Sequence, residues 1–265
     1  MKNFKKFFRV YRVWVKMVWL YHLEYRFNAI LNSFGSVFWL LGTLFIYRLI
    51  FSQVRVLAGW RWEDLLVLYG IYNFWWGMMS VFGIGGLRIA EHIRNGSLDR
   101  VLLWPGSGLF YAAMKFEPEL LLHSFSGLLI FFLSFKAGGV ILTVPHIFLF
   151  LVVLLNAFIL IFFAAVIFGC TAFWFTENSE VVHFFWVWET LAQYPSEFFK
   201  PLKFLSFAVY TVIPVVFIAA LPAEVILGKI NWNLIAGAFL ATFIFGLLAR
   251  AMWRAGLKRH TGVSI

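Results

Sequence analysis

Long apolar runs separated by short polar stretches organise this chain, in place of the alternation expected of half-buried strands. About 20 apolar residues suffice to cross a bilayer as a helix. The pattern predicts such helices at about Phe27 to Phe51, Leu65 to Gly86, Pro118 to Phe135 and His146 to Phe175. The fourth is long enough to tilt or to project beyond the membrane. After the polar turn Glu177 to Glu180 two readings compete. In one, Val181 to Phe199 is a fifth span and a re-entrant helical pair follows over residues 200–222. In the other, Leu205 to Leu221 is the span, in an apolar run interrupted by Pro214 and Pro222, and the earlier segment is interfacial. A last span covers about Leu234 to Trp253. The expected fold is an all-α integral membrane protein with six transmembrane helices, in one domain over residues 1–265.

Two stretches depart from this pattern. Lys5, Arg9, Arg12 and Lys16 share one face of a helix, while Phe4, Phe8, Tyr11, Val15, Val18 and Trp19 cover much of the remainder. Charge recurs throughout, unlike the uncharged core of a signal peptide, so residues 1–26 read as a basic amphipathic helix in the headgroup region. The second stretch is EHIRNGSLDRVLLWPGS, Glu91 to Ser107. Leu87, Ala90 and Ile93 fall on the apolar side of a short helix and Arg88, Glu91 and Arg94 on the other. Asn95-Gly96-Ser97 breaks it, with Ser97 placed to cap a second short helix through Leu98, Asp99 and Arg100 that Pro105-Gly106 stops. Residues 87–117 are thus expected to form a helical knob whose apolar anchors and charges suit a groove on a partner protein.

Composition removes the soluble alternatives. Apolar residues make up 63% and charged residues 13%, against about 45–50% and about 25% in globular domains. Assigning the N-terminal segment, the knob and the C-terminus to one side collects 15 of the 22 Lys and Arg residues there. That side is therefore expected to be cytoplasmic, with both termini. The net charge of +10 is expected to face membrane lipids, with no nucleic-acid partner. Cys170 has no partner for a disulfide or zinc site and reads as packing. His123, His146 and His183 lack metal-site spacing, so no metal is expected.

IRNGSLDRVLLWPGS, Ile93 to Ser107, resembles the "I+xGxLDxxLLxPxS" element of ABC-2 family permeases, the membrane subunits of ATP-binding-cassette exporters, and in particular a bacterial subgroup of similar length. Tyr194 to Lys229 resembles a second segment of that subgroup through Tyr194-Pro195, Pro214, Pro222 and Gly228, although Pro201 falls slightly later than in the pattern. The resemblance implies a type-2 exporter fold: six spans, an N-terminal interfacial helix and a re-entrant pair before the last span. It favours the first reading of the fifth span. It also implies that Glu91, Arg94, Asn95, Gly96, Ser97, Leu98, Asp99 and Arg100 form a coupling helix on an ATPase subunit. Two ATPase copies, carrying ATP and Mg2+, and a second identical or related permease are the implied partners, in the bacterial inner membrane.

The chain itself carries no phosphate-cradling G-x-x-x-x-G-K-[ST] loop. AEVILGKI, Ala223 to Ile230, lacks its first Gly and final hydroxyl residue and reads as a helix closed by Gly228. No cofactor is expected in this chain, and it is not expected to be an enzyme. Polar groups inside spans are functional candidates by default. Arg48 can snorkel to water. Asn73 and Asn156 either line a path or bond to neighbouring helices. Glu189 has three roles open to it: facing a translocation cavity and attracting a cationic substrate, pairing with a basic residue, or lying at the interface. Ala238, Thr242 and Gly246 form a small-xxx-small row for close packing, inside the subunit or between permeases. The rival functions are an ion-gradient-driven secondary transporter, which needs repeated halves and buried ionisable couples, a membrane enzyme, which needs a convergent catalytic constellation, and a non-transporting scaffold.

Overall fold

The computed structural model describes residues 2–24, 26–82, 84–104, 107–113, 116–138, 143–175, 178–212 and 214–260. Pro105, Gly106 and Glu177, all used in the sequence reading, lie outside them. The first helix, α1 (Lys2–Glu24), turns Tyr11, Trp14 and Val18 inward and leaves Arg12 and Lys16 exposed. Next, α2 (Arg26–Gln53) runs into a hairpin of two short strands, β1 (Val56–Leu57) and β2 (Trp60–Arg61). Ala58 and Gly59 both have positive φ, 50° and 83°, which matches the turn geometry that follows strand twist.

From that hairpin α3 (Trp62–Phe82) carries the chain about 30 Å, at 1.5 Å per residue, to the knob. The molecule therefore has a hairpin end and a knob end. Glu63 and Asp64 occupy the first turn of α3, where carboxylates suit the helix dipole. A turn at Pro118–Leu120 leads into α7 (Leu121–Gly138), which returns antiparallel to α3 in backbone contact. A Cβ on Gly127 would strike the Phe74 amide, and one on Gly77 would strike Ser124.

Thr143 caps α8 (Val144–Cys170) through the His146 amide. This helix starts beside Gly228 at the hairpin end and finishes with Cys170 in the apolar cluster of the knob end. The next segment is broken: α9 (Ser179–Glu189) is followed by single turns at Thr190–Gln193 and Ser196–Phe199, with Pro195 between them. It begins at the knob, where Arg94 Nη1–H donates to Asn178 Oδ1 at 3.0 Å. It finishes at the hairpin, where Trp60 Nε1–H donates to Glu197 Oε2 at 2.7 Å.

Two helical pieces, Lys203–Val212 and Val215–Ile226, then meet at 63° beside Pro214. The first comprises α10 (Lys203–Phe207) and a wider turn, and the second ends in α11 (Ala220–Ile226), all of whose residues are buried. The pair leaves by the end at which it entered, because Lys229 Nζ lies 3.1 Å from Asp64 Oδ2. Pro222 does not interrupt a helix here. It sits in the first turn of α11, where no intrahelical N–H is required. Gly228, at φ 76°, closes α11 as expected.

The last helix, α12 (Trp232–Arg259), is capped by Asn231 Oδ1, which accepts from the Asn233 and Leu234 amides. It packs on α8. Ala238 is buried, Thr242 Oγ1–H donates to Ala238 O at 2.9 Å, and a Cβ on Gly246 would press on the Phe163 ring. Two members of the small-residue row, Ala238 and Gly246, thus meet other parts of the same subunit. Among the described residues, Phe34–Gln53, Val144–Phe173 and Trp232–Arg259 are long and apolar enough to cross a membrane, and the bent pair makes a fourth if it is one span.

Candidate functional site

The knob consists of α4 (Arg88–Arg94), α5 (Leu98–Leu102) and α6 (Gly108–Ala112). Gly96 at φ 62° makes the expected break between the first two. Ser97 precedes α5 but makes no capping bond with its side chain; its Oγ lies 2.8 Å from His92 Nδ1 instead, tying α5 back to α4. Burial holds the His92 imidazole below its ordinary pKa, and Arg88 pushes in the same direction.

The apolar face of the knob turns inward. Ile89, Leu98 and Val101 are buried against Val166 and Cys170 of α8 and Trp253 of α12. These side chains are anchors within the subunit and are not free for a partner. Two polar contacts reinforce the seat: Arg94 to Asn178, and His260 Nε2 to Asp99 Oδ1 at 2.8 Å. Glu91, Arg94, Asn95, Gly96, Arg100, Leu103 and Trp104 remain on the surface. A groove of about 540 Å³ runs between α4 and α9, lined by Arg88, Glu91, Arg94, Glu180, His183 and Trp186 among others.

Above that groove lies the second candidate. Glu189 is 2% exposed, and the Tyr72 hydroxyl approaches its Oε2 at 3.5 Å, a long contact. Oε1 has no hydrogen-bond partner among the described residues, and neither do the buried Trp75 Nε1 and Asn156 Nδ2. No described basic side chain pairs with Glu189, and the residue is buried. Asn73 is satisfied locally: its Nδ2–H donates to Tyr69 O at 2.8 Å, and its Oδ1 is 3.4 Å from His123 Nδ1. Arg48 sits over the Trp62 ring at 5.5 Å.

Sequence reasoning missed the network at the hairpin end. Ser196 Oγ lies 2.7 Å from Glu224 Oε1 and 3.0 Å from Glu197 Oε2. Lys229 Nζ, bound to Asp64, also lies 4.5 Å over the Trp60 ring. The hairpin, the end of the broken segment and the bent pair are thereby fastened together.

A helical membrane fold with an organised knob and no phosphate-binding loop has a counterpart among known families. The model of the family described as "ABC-2 family transporter protein" matches residues 37–264. The chain belongs to the ABC-2 family. It is accordingly a multi-pass membrane protein and an ABC transporter permease, a kind of subunit that is normally non-catalytic. No curated protein and no solved structure gives a significant match.

Proposed function

We propose that this ABC-2 permease forms the translocation path of a bacterial exporter, pairing with a second identical or related permease over two copies of a separate ATPase. The chain crosses the inner membrane six times, with α2, α3, α7, α8, the broken segment from Ser179 to Phe199, and α12. Lys203 to Ile226 is re-entrant from the outside. The knob and both termini are cytoplasmic, and ATP and Mg2+ are held by the ATPase. Glu91 to Arg100 receives the push of ATP-driven closure.

One observation carries this reading: the knob is fixed to the ends of the long helices. Leu98 and Val101 pack on α8 and α12, Asp99 meets His260, and Arg94 meets Asn178 at the start of α9. Force on the exposed charges is therefore delivered to three helices together, as rigid-body helix movement requires. Glu189 is the path residue, with Asn73 on α3 and Asn156 on α8 contributed by flanking helices.

Affinity co-purification from native membranes tests the reading. The wild type is expected to bring down a Walker-type ATPase whose turnover responds to the permease. Glu91→Lys with Arg100→Glu, both exposed, is expected to lose or uncouple it. Failure of any ATPase to co-purify from several mild detergents would sink the proposal.

A further inference from the structure

Glu189 is one member of a facing set. Glu189 and Trp186 lie three apart on α9, Tyr72 and Trp76 lie four apart on α3, and these spacings put each pair on one helix face. The faces meet: Tyr72 Oη is 3.5 Å from Glu189 Oε2, and the Trp76 and Trp186 rings are 5.4 Å apart in an edge-to-face arrangement. Trp186 also lines the inner end of the groove between α4 and α9. The groove therefore leads from the knob surface to an aromatic pair, with an unpartnered carboxylate oxygen one helical turn beyond it.

A buried carboxylate without a counter-charge is costly in an apolar setting and is relieved either by a proton or by a cation that displaces it. Apolar surroundings select a cation whose own desolvation is cheap, one with its charge spread over a hydrophobic body. Aromatic faces favour the same class through the ring quadrupole. Phe185 and Trp188 extend the aromatic surroundings on α9, with Phe185 5.4 Å from Trp186. The groove mouth carries both signs, Arg88 and Arg94 against Glu91 and Glu180, so selection falls to the buried carboxylate.

We infer that Tyr72, Trp76, Trp186 and Glu189 form a binding site for a monovalent hydrophobic organic cation, entered from the α4–α9 groove, with the Trp76–Trp186 pair as its gate. The inference rests on the proposed path role of Glu189 and adds the substrate class, the entrance and the gate. Binding moves the two rings apart so that the cation reaches Oε1, and no covalent step is involved.

Equilibrium binding of radiolabelled tetraphenylphosphonium to the full chain in zwitterionic nanodiscs tests this without any ATPase. Tetraphenylborate serves as the anion of the same shape. The wild type is expected to bind the phosphonium and not the borate. Glu189→Gln, which keeps the shape and the approach of Tyr72, is expected to weaken binding about tenfold or more. Trp186→Ala is expected to weaken it as well, and Trp186→Phe to restore most of it. Thermal unfolding of each variant checks that the fold is kept, and the Trp186 pair decides the matter if Glu189→Gln does not fold. Absence of phosphonium binding by the wild type, equal binding of the borate, or wild-type affinity in both Glu189→Gln and Trp186→Ala would each overturn the site. None of these outcomes bears on ATPase co-purification, so the two proposals fail separately.

Discussion

At the knob end, Ile89, Leu98 and Val101 pack on α8 and α12, and two polar contacts of 2.8 and 3.0 Å lock the arrangement. At the hairpin end polar contacts are added to an apolar core that includes Trp60, Phe199 and α11: Trp60 to Glu197, Ser196 to Glu224, and Lys229 to Asp64. The knob buries its apolar face and keeps Glu91 and Arg100 outward, available to another chain. The hairpin end turns its charges on one another. Apolar packing loses its contacts outright when separated, whereas hydrogen bonds are exchanged for bonds to water at a small net cost. The two ends differ in what they present outward, exposed charges at the knob and charges paired within the subunit at the hairpin.

The comparison is exposed to direct attack. Leu98→Ala, at a fully buried position, is expected to cost about 2–5 kcal/mol. It should lower the thermal midpoint of the purified protein and speed proteolysis within residues 88–104. Ser196→Ala is expected to cost less, about 1–3 kcal/mol, because it strips a hydrogen bond from the buried Glu224 carboxyl. If Ser196→Ala proves the more damaging of the two, the ranking of the apolar seat above the polar contacts is wrong. Trp60→Phe keeps a ring under Lys229 but removes the N–H to Glu197 and leaves unfilled volume in the core, for about 1–3 kcal/mol. In a double-mutant cycle it should couple to Ser196→Ala through their shared Glu197 and show no coupling to Leu98→Ala.

The smallest expected effect is one of pH. His92 has its pKa lowered in the fold by burial and by Arg88. An unfolded chain then takes up the proton first as pH falls. The contribution of His92 to stability is complete above the ordinary imidazole value of 6.5 and is lost as pH drops below it. The protection of the amides in residues 92–98, corrected for the intrinsic pH dependence of exchange, should fall on acidification in the wild type and change less in His92→Gln.

Much of this architecture was legible as hydropathy, and what escaped has identifiable causes. The apolar run of α8 and the basic, amphipathic start of the chain announce themselves over many residues. The Ser179–Phe199 segment is harder, since aromatic residues with polar edges, Glu189 and Pro195 dilute its apolar signal. Helical spacing identified the apolar face of the knob but not what it faces, so its anchors looked available to a partner. The hairpin-end network joins Trp60 to Glu197 and Lys229 to Asp64, pairs 137 and 165 residues apart, beyond the reach of any local pattern. A usable sign of the α3–α7 contact was present: Gly70 and Gly77, seven apart, share one helix face, and both approach the backbone of α7.

The bent pair Lys203–Ile226 has a bearing on how the chain is made. A backbone broken beside Pro214 is tolerated at membrane depth only where protein surrounds it, so this stretch is a poor client for direct release into lipid. Its receptacle includes α3 and α8, against which α11 lies, and both leave the ribosome before it does. The niche is therefore built before its occupant is synthesised, and α12, arriving afterwards, packs along α8 to complete the wall. Order of translation thus permits the same order of assembly, and a circular rearrangement placing Lys203–Ile226 ahead of α3 would synthesise α11 before the helices it packs on.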